Sequence, residues 1–143
     1  MRLLFLDFDG VLHPLTKIEN LHPHGWFCWL PILGELLAPW PDVFIVVHSS
    51  WRQHFSDAEL RQLLQDLGTR MLGSAQGPSK AVAIEGVLNA NVGKVKHHVV
   101  LDDDARLAAT LGLNVIQCDP SEGLSSPSTQ AALTRWLAAT ATA

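Results

Sequence analysis

Two aspartates one residue apart, Asp7 and Asp9, close the apolar run Leu3 to Phe8 and open onto Gly10. Three more, Asp102, Asp103 and Asp104, close the run His98 to Leu101. Between them, Ser49 and Ser50 follow the run Val43 to Val47, and Lys80 stands just after Ser79 at the start of a helical pattern. Four or five carboxylates brought to one place would repel one another by several kcal/mol in a partly buried site. A hard divalent cation relieves that repulsion, and Mg²⁺ with oxygen ligands fits best.

The elements between these residues decide whether they meet. Val43 to Val47 is β-branched and aromatic without a break, the mark of a strand covered on both faces. Further strands are expected at Leu3 to Phe8, His98 to Leu101 and Leu113 to Gln117, with a short one at Met71-Leu72. Helices are predicted at Ile32 to Ala38, Ala105 to Leu111 and Ser128 to Ala139. Ser56, with Glu59 at the third helical position, opens a helix expected to reach Leu67, with Gly68 as its C-cap. Ser79 caps another over Lys80 to Asn91, with Val82, Val87 and Leu88 toward the core. Strands alternating with helices indicate an α/β fold with a mostly parallel sheet. Ligands of such sheets bind beyond the carboxyl ends of the strands, where the acids, the serines and Lys80 are expected to converge.

At 143 residues the chain is read as one domain over 1-143, a core of about 1-119 followed by a C-terminal helix and tail of about 120-143. Apolar residues form 48% of it, which argues against disorder. A formal charge of −4 argues against sequence-independent nucleic-acid binding, although a local basic groove stays possible. Cys28 and Cys118 stand far apart without a C-x-x-C pair, so no disulfide framework is expected and a cytoplasmic setting is. The apolar start is cut by Asp7 and Asp9 too early for a signal sequence, and no run approaches the ~20 residues of a membrane span.

Phe5-Leu6-Asp7-Phe8-Asp9-Gly10-Val11-Leu12 resembles the first motif of the haloacid dehalogenase superfamily of phosphatases and phosphotransferases, D-x-D-x-[TV]-[LV]. Val43 to Ser49, an apolar strand plus serine, resembles the second motif, Lys80 the third, and Val99-Val100-Leu101-Asp102-Asp103 the fourth. All four arrive in order. More narrowly, Ser49-Ser50-Trp51-Arg52 and the D-D-D ending look like small bacterial members related to the phosphatase domains of RNA-repair proteins. The resemblance implies a Rossmann-like three-layer αβα sandwich and a Mg²⁺-dependent phosphatase. Asp7 would be its nucleophile, forming an aspartyl phosphate, and Asp9 its general acid and base. Mg²⁺ would sit among Asp7, the Asp9 carbonyl, Asp103 and Asp102. Ser49 and Lys80 would hold the phosphoryl oxygens, with Gly10, Ser50 and Arg52 facing the substrate.

Each feature has a plainer reading. Ser49 could cap a turn, Lys80 could be a solvated helix lysine, and Asp102 to Asp104 could cap a helix. Their order on one sheet edge outweighs these readings together. Lys94 and Lys96 also precede the D-D strand, but lie near its far end, so Lys80 is preferred. His13, His22, His24 and Cys28 match no standard zinc spacing and read as turn residues or substrate contacts. Trp26 and Trp29, three apart, read as packing or as a stacking surface within a selectivity segment His13 to Trp29. His48 is expected to point away from Ser49 if the strand persists, and His97-His98 to be structural. The intervals 13–42 and 51–79, about 30 residues each, are too short for a cap domain of about 50 residues. A catalytically weak phosphate- or nucleotide-binding regulatory module is the alternative. A phospho-acceptor receiver domain fits poorly, because its acceptor ends the third strand rather than the first.

Overall fold

The computed structural model describes residues 1–15 and 25–141. Five strands form one parallel sheet: β1 (Arg2–Leu6), β2 (Val43–Val47), β3 (Met71–Ser74), β4 (His97–Asp102) and β5 (Val115–Gln117), in the order β3-β2-β1-β4-β5. β1 is central and buried throughout. Side chains alternate faces along a strand, so Leu4 and Leu6 enter one core while Leu3 and Phe5 enter another. The first core is closed by α1 (Leu30–Leu37), α2 (Asp57–Leu63) and α5 (Pro127–Ala139), through Leu33, Leu60 and Leu133. The second is closed by α3 (Lys80–Ala90) and α4 (Ala105–Ala108), through Ile84 and Leu107. Helices therefore cover both faces in a Rossmann-like three-layer arrangement. No helix among the described residues is long and apolar enough to cross a membrane.

Strand register positions the site. Leu6 pairs with Val47 on one side and with Leu101 on the other. The next residue of each chain segment, Asp7, His48 and Asp102, therefore stands in one row across the carboxyl edge.

Several boundaries differ from expectation. β1 ends at Leu6 rather than Phe8, because Phe8 turns into an aromatic cluster, 5.0 Å from Phe27 and 5.7 Å from Trp51 between ring centroids. The capping box of Ser56 and Glu59 forms, but α2 stops at Leu63. Gln65 then takes φ +53° and a 3-10 segment, Gln65–Arg70, follows. Gly68 is no C-cap: a Cβ there would strike the Arg61 carbonyl, so the close approach of backbone requires glycine. On α3, Ala83 and Ile84 are the buried positions, whereas Val82 is 49% exposed and Val87 and Leu88 are only partly covered. α4 ends three residues before the expected Leu111, whose side chain has no apolar surface to meet and is 95% exposed. β5 starts at Val115 rather than Leu113, and α1 and α5 start earlier, each with a proline in its first turn. Residues 25–42 and 51–79 fold onto the sheet as helices, 3-10 turns and β3, and form no separate cap.

Candidate active site

Asp7 follows the central strand and is 3% exposed. Its Oδ1 accepts the Phe8 N–H at 2.8 Å, and its Oδ2 accepts from Lys80 Nζ at 3.2 Å. Lys80 also donates to Asp102 Oδ2 at 2.9 Å. The side chain reaches there because Ser79 caps α3, its Oγ accepting the Val82 N–H, and starts the helix beside the sheet edge. Asp102, the last residue of β4, has no exposed surface. Its Oδ2 also accepts from His48 Nε2 at 2.7 Å, and its Oδ1 accepts the Asp104 N–H at 2.9 Å. Asp7, Asp102 and Asp103 each offer a carboxylate oxygen within 4.8 Å of the others.

Among the described residues these three carboxyls have one ammonium group bonded to two of them, and their protonation follows from that shortage. Burial first, and then the neighbouring Asp102 charge, push Asp7 up to about 7. Burial, together with a hydrogen bond to Asp102 and its charge, pushes Asp103 up to about 6. Asp102 is buried too, but His48 and Lys80 outweigh that cost and hold it below the usual carboxylate range. The two acids hold Lys80 above its ordinary value, so it stays charged. Burial keeps His48 below its ordinary value, which makes it a neutral donor to Asp102. A site with excess negative charge and oxygen donors at this spacing suits a divalent cation. Asp102 already accepts three hydrogen bonds, whereas Asp103 is half-buried and leans toward Asp102, so Asp7 and Asp103 are the candidate metal ligands with more lone pairs to spare.

Asp9 is turned away from that trio. Its Oδ1 accepts from His13 Nε2 at 2.7 Å, and Trp51 Nε1 donates to Oδ1 and Oδ2 at 3.1 and 3.2 Å. The Asp9 carboxylate is therefore outside the acidic cluster, and only its carbonyl is left for a metal. Gly10 has φ +77°, and a Cβ there would lie 2.5 Å from Asp103 Oδ2. Glycine is what lets the Asp103 carboxylate lean over the loop after β1.

Ser49 is buried and its Oγ accepts the Trp51 N–H at 3.2 Å, capping the 3-10 turn Ser50–Gln53 while its own hydroxyl proton remains to be donated. Ser50 is exposed. Arg52 donates to Gln76 Oε1 at 3.0 Å and reaches the Gly77 carbonyl at 3.5 Å, bracing the loop that leads to Lys80. Lys94 and Lys96 are exposed at the other end of the sheet, where the Met1 amine donates to the Lys94 carbonyl at 3.0 Å. His22 and His24 lie outside the described residues. His13 closes the turn after Asp9, its carbonyl accepting the Gly10 N–H at 2.8 Å, and its side chain is fully buried and meets no solvent. Cys28 is exposed and free. Trp26 packs edge-on against Trp51 at 5.5 Å, as packing. His98 accepts the Asn114 N–H at 3.1 Å and serves structure.

The contacts of His48, Trp51 and His13 with the site's carboxylates carry no signal in the local sequence. The expectation for His48, opposite to Ser49, holds only for a strand that persists; β2 ends at Val47, so alternation does not apply to it, and its Nε2 meets Asp102. The row Asp7, His48, Asp102 needs the register of three strands, which no local pattern carries.

No curated protein and no solved structure matched the chain. A family model described as the HAD domain in Swiss Army Knife RNA repair proteins matches residues 3–129. That span takes in β1 to β5 and every acid of the edge described above. With an Asp-x-Asp after the central strand, a lysine on the buried pair and the Asp-Asp end of β4, the chain belongs to this branch of the haloacid dehalogenase (HAD) superfamily.

Proposed function

We infer that the chain is a Mg²⁺-dependent phosphatase working through an aspartyl phosphate. The observation that carries this reading is the trio Asp7, Asp102 and Asp103 within 4.8 Å, with Lys80 bonded to the first two. Mg²⁺ held by Asp7, Asp103 and the Asp9 carbonyl would screen the phosphoryl charge from the incoming carboxylate. An Asp7 oxygen attacks phosphorus, the bond to the leaving oxygen breaks, and Asp9 gives that oxygen its proton. Asp9 then takes a proton from water as the water oxygen attacks phosphorus. The Asp7–phosphorus bond breaks, releasing inorganic phosphate and restoring both carboxyls. Lys80 and the Ser49 hydroxyl stabilise the equatorial oxygens, where transition-state charge collects.

The family's description favours a phosphate-ended RNA as substrate. A chain of net charge −4 is poorly made for tracking many phosphates, so recognition of the end rather than the length fits. The test is phosphate release, with Mg²⁺ and with a chelator, across phosphate-ended oligonucleotides of several lengths, nucleotides, sugar phosphates and phosphopeptides. Oligonucleotide ends should lead, with little dependence on length. Mapping of the phosphoenzyme to any residue but Asp7 overturns the mechanism. Phosphate binding without release from any ester would make the chain a binding module instead.

A further inference from the structure

Asp9 is held in an unusually complete clamp. His13 is fully buried, and its Nδ1 accepts the Phe27 N–H at 3.2 Å. An acceptor carries no proton, so the imidazole proton must sit on Nε2, which is 2.7 Å from Asp9 Oδ1. The Trp51 indole N–H approaches the same carboxylate from β2's side. Both rings are fixed by their neighbours: His13 lies 5.4 Å from Phe27 and 5.5 Å from Trp51, and Trp51 stacks on Phe55 at 5.5 Å. Phe27 itself takes φ +56°, a conformation that bulky residues rarely adopt. Strain of that kind persists where surrounding structure imposes it, and it is commonest beside functional groups.

From this we propose that His13 and Trp51 are positioning residues for the general acid. The tautomer of His13, set by the Phe27 amide, aims a donor at Asp9 and fixes where its carboxyl can deliver a proton. The inference rests on the phosphatase reading and adds two residues to it. It says why a histidine is buried four residues after the Asp-x-Asp, and why the residue two after Ser49 is a tryptophan. Neither side chain touches the acidic trio, so their effect must pass through Asp9.

The experiment exploits the leaving group. Protonating the departing oxygen matters greatly for an alkyl phosphate and little for 4-nitrophenyl phosphate, whose leaving group is stable as an anion. The kcat/KM ratio of the two esters therefore reports the general acid, whereas general damage to the site lowers both alike. His13→Leu should shift the ratio against the alkyl ester by about tenfold, part of the roughly 10²- to 10⁴-fold that a general acid contributes, because Asp9 itself is still present. Trp51→Phe, which keeps an aromatic ring, should shift it less in the same direction. His13→Gln, whose amide both donates through N–H and accepts through its carbonyl, should recover part of the loss. A ratio unchanged in both His13→Leu and Trp51→Phe overturns the inference. Asp9→Asn separates it from its foundation: no ratio shift there overturns the general-acid reading itself. Long-range ¹⁵N–¹H NMR of the metal-free parent protein gives a readout free of folding defects. It should show His13 with a bare Nδ1 and a protonated Nε2, and the opposite tautomer overturns the clamp.

Discussion

At the amino end of the sheet one buried cation is surrounded by partners. Arg2, 3% exposed, donates to both oxygens of Asp42 at 2.8 and 2.9 Å, to the Leu137 carbonyl at 2.8 Å and to Thr140 Oγ1 at 2.8 Å. Its guanidinium also faces the rings of Trp40 and Trp136 at 5.2 and 5.6 Å. At the carboxyl end the proportions reverse: among the described residues three carboxyls cluster, and one ammonium, that of Lys80, bonds two of them. A buried ion whose hydrogen bonds are complete ties elements together, here α5 and the start of β2 onto β1. A buried cluster short of counter-charge works against the fold until something positive arrives. One end is built for stability, and the proposed function gives the other to a ligand.

The sharpest test removes one charge from the ligand end. Asp7→Asn should lower turnover by about 10³-fold or more, because the amide cannot form the phosphoenzyme. The same change relieves a carboxyl that burial has pushed up to about 7, so the melting temperature at pH 8 should hold or rise. A variant that is inactive and clearly less stable would mean that Asp7 supports the fold.

Lys80→Met instead removes the ammonium bonded to Asp7 and Asp102. Turnover should fall by about 10²- to 10³-fold, the usual loss for one group that stabilises transition-state charge. Stability should fall as well, since Asp7 and Asp102 lose their shared partner. Lys94→Met, at the opposite end of the sheet, is the matched control and should change neither. Equal effects of the two substitutions would break the assignment of Lys80.

Arg2→Leu should do the reverse of Asp7→Asn, lowering stability with turnover per folded molecule retained. Two bonds to α5 and its cap are lost, along with stacking on two indoles, whereas Asp42 is left in water at 54% exposure. The cost should be about 2–3 kcal/mol, below that of a fully buried broken pair. Chemical denaturation measures it, and a loss under 0.5 kcal/mol, within the range of ordinary surface changes, would mean that the amino end is not a clasp.

How far these two ends could be read in the chain depends on how local their causes are. Val43 to Val47 and Asp7-x-Asp9-Gly10 were legible, because a doubly buried strand needs an unbroken apolar run and its loop needs glycine at φ +77°. Lys80 was legible through its cap, Ser79. The end of α2 was not: Leu60, Leu63, Leu64 and Leu67 keep helical spacing through a break at Gln65 that only the fold imposes. Partners such as Trp51 and Asp9, 42 apart, or His48 and Asp102, 54 apart, follow from register and carry no local mark. The Arg2 clasp joins residues up to 138 apart and leaves no local mark for the same reason.

The smallest expected effect is a pH dependence, and its sign separates the two ends most cleanly. Asp103 is held at about 6 in the folded protein against 3.8 for a free side chain. Between about pH 4 and pH 6 the folded state therefore keeps a proton that the unfolded chain has released, and stability falls as pH rises through that window. Asp42 behaves oppositely, because Arg2 lowers its pKa; its contribution is complete above about pH 4 and is lost only on further acidification. Burial depresses His48 and His98, whose contributions instead grow as pH rises through about 6.5, so the total curve mixes both signs. Comparison with Asp103→Asn isolates the acid, since the two proteins share every other group. The variant should gain on the parent between pH 4 and pH 7, by a few degrees of melting temperature at most, because Asp103 is only half-buried. Added Mg²⁺ should close that gap at pH 8, where binding needs the ionised Asp103, and act much less at pH 5. A difference that stays flat from pH 4 to pH 8, with and without Mg²⁺, would show that Asp103 neither strains the fold nor holds the cation.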